Sequence, residues 1–433
     1  MPKNLIERWA SAAAVYKDRR ILAILFMGFS SGLPLALVGA TLGVRLAEEQ
    51  VSLTTIGFFA LTGIAYNIKF LWAPVMDRSP FPFLTRYFGR RRGWALATQA
   101  ALIAAIIFLG NSDPFSSAGL TALAAVLVAF CSASQDIVID ALRVDLLAEN
   151  EQGAGAAATQ FGWRIGALVS GAGALYAASF GGWRFAYDLM AAFVLIGVVA
   201  VLSVDEPARG KDELTKHTRG FGEWLQHAVI DPFVDFMSRH PWAPILLFVV
   251  LYKFGDALTG VMSSPFYVAM GFTKIEIANI SKIFGTIATV IGVFFGGTLV
   301  YRLGALRSLL ICGVAQMLSN AMFAAQAMAG HNPALLIVTI GAENIAGGMN
   351  AAAFVAYLSS LCNASFTATQ YALLSSLAAV PRTFLSSFGG WLAEHLGWVH
   401  FFLTSAAAAL PGLALLLWLM RRQGILASIP ARH

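Results

Sequence analysis

Ala158-Thr159-Gln160 lies in one long apolar run, and Ala368-Thr369-Gln370 lies in another, 210 residues further on. Around them, Gly182-Trp183 recurs as Gly397-Trp398 at an offset of 215, and Gln135-Asp136 is answered by Glu343-Asn344 at 208. Three ordered matches at a near-constant offset indicate a duplicated unit. The duplicated material is apolar. The chain has 433 residues, 58% hydrophobic and 12% charged, where soluble domains carry roughly 25% charge. A chain this long could form two or three soluble domains, but it has too few charges to cover their surfaces. An ordinary cytosolic enzyme is excluded.

A bilayer core needs about 20 apolar residues per helix. Twelve runs qualify: 21–46, 53–76, 93–110, 118–142, 154–179, 184–203, 242–271, 276–300, 306–328, 333–361, 367–393 and 399–420. They are called spans 1 to 12 below. Residues 204–241 are the only long polar stretch and divide the spans six plus six. The expected organisation is an amphipathic N-terminus (1–20), a six-helix bundle (21–203), a linker with an amphipathic helix (204–241), a second bundle (242–420) and a tail (421–433). Leu5, Trp9, Ala12 and Tyr16 share one helical face, which suits an interfacial helix. The apolar run from Ile21 continues without a small-residue cleavage site, so it reads as an uncleaved span rather than a signal peptide.

Charge sets the orientation. Of 29 Lys and Arg, 21 fall on the side of both termini, the linker and loops 2–3, 4–5 and 8–9. Only Arg45, Arg184 and Lys274 fall on the other side. The positive-inside rule then places both termini in the cytoplasm. The net charge of +6 is loop charge and needs no nucleic-acid partner. Cys131, Cys312 and Cys362 show no metal or disulfide spacing. No histidine lies deep inside an apolar run, His400 standing at the very start of span 12. No metal and no cofactor are expected.

A charge at the bilayer centre costs roughly 2.5–3.5 kcal/mol on insertion scales, so such residues face inward and usually carry function. Nine lie well inside spans: Lys69, Asp136, Asp140, Arg164, Lys253, Asp256, Lys282, Glu343 and Arg382. Asp136 and Asp140 are i,i+4 and share a face, as do Gln160 and Arg164. Lys253 and Asp256 are i,i+3 and can pair. Glu343, Gly347 and Asn350 line one stripe. Asp136 and Glu343 sit at matching depth in matching spans.

The functional reading is a proton site plus cations for an anionic substrate. A carboxylate desolvated in a cavity can pick up a proton near neutral pH, and without histidine the carboxylates are the candidates. The structural reading is that these charges pair permanently and lock helices together. It is the stronger one for Asp140 beside Arg143, and the two are balanced for Lys253 with Asp256. Function is favoured for Asp136 and Glu343. Lys69, Arg164 and Arg382 have no same-helix acid, so a substrate anion or an acid on another span must meet them. Tyr66, Trp72, Trp163 and Tyr252 lie near these charges; aromatic faces stack on sugar rings, though packing or a lipid-facing place explains any single one better. Gly28-Phe29-Ser30-Ser31-Gly32-Leu33-Pro34 in span 1 permits either a bend or close packing. Two six-helix halves around a cavity are a secondary-transporter plan.

Loop 2–3 holds Asp77-Arg78 and Gly89-Arg90-Arg91-Arg92, a stretched form of the major facilitator motif G-x-L-x-D-R-x-G-R-R/K. Its counterpart in the second half runs from Gly296 to Gly304 and includes Arg302, with Arg307 beyond. Asp77 can hold a neighbouring helix N-terminus through its dipole and so latch one state, the favoured reading for it; the arginine cluster reads rather as a topology determinant. Asp77, Arg78, Arg143 and Arg302 are the gating candidates.

From about residue 20 to 420 the chain resembles the AmpG muropeptide permease family, in the peptide/acetyl-coenzyme A transporter group of the major facilitator superfamily. The segments that carry this are Gly28–Pro34, Lys69-Phe70-Leu71-Trp72-Ala73-Pro74, Gly89–Trp94, Ser132-Ala133-Ser134-Gln135-Asp136-Ile137-Val138, Leu251–Ala257, Glu343-Asn344 with Gly347–Met349, and Ser365-Phe366 with Ala368–Gln370. The resemblance implies an all-α integral membrane protein of that superfamily, with twelve transmembrane helices in two six-helix halves. It implies proton-driven import of N-acetylglucosaminyl-1,6-anhydro-N-acetylmuramyl peptides across the bacterial inner membrane, for peptidoglycan recycling, with a role in β-lactamase induction. The family's functional Asp falls on Asp136, with Gln135 beside it. The partners expected are the muropeptide, protons and the lipid bilayer, for a protein acting as a monomer. Asp136 and Glu343 are then the proton-coupling candidates. The substrate-binding candidates are Lys69, Gln135, Gln160, Arg164, Lys253, Asp256, Lys282, Asn344, Gln370 and Arg382, with Tyr66, Trp163 and Tyr252. Two alternatives stand beside this: a transporter of another large anion such as an acyl-coenzyme A, and a non-transporting assembly factor on the same fold.

Overall fold

A computed structural model describes residues 17–148, 151–207, 237–238, 242–361, 379 and 383–427, but not the side chains of Phe70, Pro74, Asp77, Arg78 and residues 423–427. The N-terminal amphipathic stretch, most of the linker, Cys362, Gln370 and Arg382 therefore lie outside the described residues. Among the described residues there are helices and no strands. Lipid offers the backbone no hydrogen-bond partners, so an apolar chain satisfies its amides within helices.

Among the described residues, nine helices are long and apolar enough to cross a membrane. Two of them hide a corner. Ala174–Leu202 breaks at Gly182 (φ 78°) and Gly389–Ala407 breaks at Gly397 (φ 71°). These are the two Gly-Trp pairs of the sequence repeat. Glycine is needed there because other residues avoid positive φ. The corners separate span 5 from 6 and span 11 from 12. Span 2 is the irregular one. It runs as short helical and 3₁₀ pieces, Leu53–Phe59, Ala60–Gly63, Ile64–Ile68, Lys69–Leu71 and Ala73–Arg78. With these breaks counted, the described residues hold spans 1 to 10 and 12, and of span 11 residues 379 and 383–393.

The chain clusters into two compact units, Met1–Glu49 with Thr62–Thr218, and Gln50–Leu61 with Arg219–His433. In the first unit, spans 1 and 5 meet through glycines. A Cβ on Gly28 or Gly32 would strike the carbonyl of Thr159 or Trp163; one on Gly162 or Gly166 would strike that of Leu25 or Phe29. Small residues let membrane helices approach closely. This decides for close packing in the Gly28–Pro34 segment. In the second unit, Gly292, Gly296 and Gly348 do the same for spans 8 and 10. There Gly57 also abuts Ser387 and Gly390, and Glu394 accepts from Thr54 N (3.0 Å) and Oγ1 (2.6 Å).

One basic residue differs from its sequence reading. Arg45 reads as a charge on the sparse side of the membrane, yet it is 3% exposed. Its guanidinium bonds the carbonyls of Leu109 (2.8 Å) and Ser112 (2.5 Å) and pairs with Glu49 at 2.9 Å. It satisfies the carbonyls that end the helix Arg90–Asn111. The loop arginines also make specific bonds. Glu206 receives the amides of Arg91 and Arg92 (2.8 and 3.0 Å), a carboxylate on a helix N-terminus. Arg91 pairs with Asp145 at 2.9 Å.

Candidate functional site

Each unit gathers charged residues of its own. In the first, the close contact of spans 1 and 5 sets Ser31, Thr159 and Trp163 beside span 4. Ser31, Asp136, Ile139, Asp140, Thr159, Gln160 and Trp163 line a cavity of about 320 Å³. The shared face of Asp136 and Asp140 is therefore realised. The Ser31 hydroxyl donates to Oδ1 of Asp136 at 2.5 Å. Lys69 and Tyr66 lie near enough to Asp136 for their charge or dipole to interact with it. Asp140 faces Arg143 at 3.6 Å, as the structural reading has it.

Gln135 is fully buried and does not line the cavity; it accepts a long 3.5 Å bond from Ser30. Two consecutive serines of span 1 thus meet two consecutive polar residues of span 4. Gln160 lines the cavity, whereas Arg164, one turn on, is exposed and does not. Ser31 and Thr159 are missed by sequence reading. Serine and threonine are common in apolar helices, where they bond their own backbone, so nothing in their identity marks them.

The second unit gathers the charges of spans 7, 8 and 10. Lys253 Nζ lies 3.4 Å from Oδ2 of Asp256. The same oxygen accepts from Asn350 Nδ2 at 3.4 Å. Glu343 Oε2 accepts from Asn344 Nδ2 at 2.8 Å, and Asn344 Oδ1 accepts from Thr289 at 2.9 Å. Lys253, Asp256 and Lys282 all interact electrostatically with Glu343. Lys282 sits on a π-helical stretch, Ile277–Phe284, a distortion frequent at functional sites. So two acids and two lysines from three spans form one group.

The aromatic candidates divide. Tyr252 is buried, donates to the carbonyl of Leu309 at 2.7 Å and stacks on Phe354 at 5.9 Å. Trp72 bonds Ser134 at 3.0 Å and packs on Phe130 at 4.9 Å. Trp163 faces the cavity and has no ring partner among the described residues. Arg302 is exposed at the end of span 8. Asp77, Arg78, Gln370 and Arg382 are candidates whose side chains lie outside the described residues. Among the described residues no cluster of His, Cys, Asp and Glu suits a metal ion.

Apolar helices that cross a bilayer and turn acids, lysines and amides inward within each half define a membrane transporter. The comparisons place it. The family model of the Major Facilitator Superfamily matches residues 21–319. The anhydromuropeptide permease of Escherichia coli (strain K12) is 44% identical over 93% of this chain and 80% of its own length. The transporter AmpG 4 of Rickettsia conorii is 36% identical over 94% of this chain and 97% of its own. Among solved structures, the nucleoside transporter NupG superposes with a TM-score of 0.67 at 13% identity, covering 92% of this chain and 99% of NupG. The chain belongs to the Major Facilitator Superfamily and, within it, to the AmpG permeases. It is a permease and not an enzyme.

Proposed function

We propose that this permease imports anhydromuropeptides across the bacterial inner membrane, driven by protons, as a monomer with both termini in the cytoplasm. The substrate follows from the 44% identical relative named for it. The orientation follows from 21 basic residues on one side against three on the other. The 21–203 and 242–420 bundles, joined by the 204–241 linker, are the two moving bodies.

The observation that carries proton coupling is the pair Asp136 and Ser31. A hydroxyl both donates and accepts. Ser31 therefore serves Asp136 as a carboxylate, by donating, and as a carboxylic acid, by accepting. Asn344 Nδ2 only donates, so its bond suits Glu343 as the charged form. Asp136 is accordingly the group that takes and releases the proton in each cycle. Glu343, held among Lys253, Lys282 and Asp256, changes partners when a substrate carboxylate arrives at the lysines. Lys253 and Lys282 receive the peptide carboxylates, and Lys69, Arg164 and Arg382 add positive potential. Asp77 with Arg78, Arg143 and Arg302 latch the cytoplasmic side.

The test is uptake of a labelled anhydromuropeptide into proteoliposomes, with unlabelled muropeptide and a coenzyme A ester as competitors. The proposal expects saturable uptake blocked by the muropeptide alone. Uptake blocked by the coenzyme A ester, or no uptake, contradicts it.

A further inference from the structure

The cavity of the first unit has a chemistry the proton cycle does not use up. None of its lining residues is basic, so it offers no cation to a substrate carboxylate. It is rich in hydrogen-bond acceptors instead. An ionised carboxylate has about four acceptor sites, and the cavity presents two, with the amide of Gln160 beside them. Ser31 occupies one site on Asp136, and Thr159 spends its hydrogen on the carbonyl of Gly155 at 3.0 Å.

The charge of these acids is partly answered from within: Arg143 faces Asp140 at 3.6 Å and Lys69 interacts with Asp136. What the cavity offers beyond these pairings is acceptor capacity and the Trp163 ring. A neutral, hydroxyl-rich ring meets both. Its C–H face lies on the indole, and its O–H and amide N–H groups point to the carboxylates and Gln160. A cation would duplicate the charge that Arg143 and Lys69 already supply. At about 320 Å³ the cavity is at the small end of ligand pockets, roughly 300–1,000 Å³. That limits it to one ring of a larger molecule.

We propose that this cavity is a carbohydrate subsite that holds one pyranose ring of the substrate, stacked on Trp163 and hydrogen-bonded to Asp136, Asp140 and Gln160. The proposal rests on the muropeptide reading and divides that substrate. Its sugar goes to the first unit, and its carboxylates go to the lysines of the second. It also places the sugar and the proton on one carboxylate, that of Asp136.

The experiment measures direct binding to the purified full-length protein of two probes. One is the peptide-free disaccharide N-acetylglucosaminyl-anhydro-N-acetylmuramate; the other is the sugar-free stem tripeptide, which carries ammonium and carboxylate groups. Trp163→Ala is expected to weaken disaccharide binding about tenfold or more while tripeptide binding stays within about twofold. Trp163→Phe, which keeps a ring face, is expected to restore most of the loss. Disaccharide binding unchanged in Trp163→Ala overturns the proposal. So does loss confined to the tripeptide, which marks an ammonium site, or a wild type that binds no disaccharide. If Trp163→Ala fails to fold, Gln160→Ala on the same wall is judged by the same two outcomes. Uptake separates the two readings. Disaccharide that binds through Trp163 without muropeptide transport overturns the transport reading alone. Transport with disaccharide binding indifferent to Trp163 overturns the subsite alone.

Discussion

The Ser31 hydroxyl of span 1 donates a 2.5 Å hydrogen bond to Oδ1 of Asp136 in span 4, at the wall of the cavity. With the longer bond from Ser30 to Gln135 beside it, this contact is where spans 1 and 4 share polar chemistry. Ser31→Ala removes the partner that follows Asp136 through both protonation states. A hydrogen bond to a charged group contributes about 1.5–3 kcal/mol, so muropeptide uptake is expected to fall roughly tenfold to a hundredfold. Ser31→Thr, which keeps the hydroxyl, is expected to retain more. Initial uptake rates at equal protein level check this; equal rates for Ser31→Ala and wild type contradict it.

The glycine contact of spans 1 and 5 predicts a folding defect rather than a transport defect. A Cβ on Gly162 meets the backbone carbonyl of Leu25, which is not a flexible side-chain end. Overpacking costs about 1–3 kcal/mol and sometimes more. Gly162→Leu is expected to lose the monodisperse peak in size-exclusion chromatography in detergent. Gly153→Leu, where a Cβ meets nothing, is expected to keep it.

Arg45 is a structural charge. Arg45→Met leaves the carbonyls of Leu109 and Ser112 without their buried donor. Each such orphan costs about 1–3 kcal/mol. The apparent melting temperature is expected to drop by several degrees, with the pH dependence of uptake unchanged. A shifted pH profile contradicts the structural role.

Asp18 gives a pH signature outside the membrane. The side-chain bond from Arg20, at 2.7 Å, holds its carboxyl below the usual value of 3.8. A depressed carboxylate adds stability above its unfolded pKa, and loses it as pH falls through the folded one. The melting difference between wild type and Asp18→Asn is therefore expected to be present at neutral pH and to vanish in acid. The pair is solvent-exposed, so the difference is small.

Much of this was legible in the sequence for a physical reason. Lipid forces every crossing into a helix about 20 apolar residues long, so the spans follow from hydropathy alone. The Gly182 and Gly397 corners follow from a residue type with special backbone freedom. The pairing of Lys253 with Asp256 and of Asp140 with Arg143 was readable because both lie within one helical turn. Contacts between helices were not readable. Ser31 on Asp136 spans 105 residues, and Arg45 on Leu109 spans 64. Arg45 counts as a loop charge until the helix end it caps is seen. The irregular pieces of span 2 likewise depend on neighbours that re-satisfy their backbone.

The central claim is that Asp136 couples substrate entry to proton entry. The measurement is uptake of labelled anhydromuropeptide into proteoliposomes, with and without an inward proton gradient, for wild type and Asp136→Asn. The account predicts that wild type accumulates substrate only with the gradient, and that uptake declines as the outside pH rises. It predicts that Asp136→Asn folds, binds muropeptide and fails to accumulate it under either condition. Gradient-driven accumulation by Asp136→Asn near the wild-type rate contradicts it.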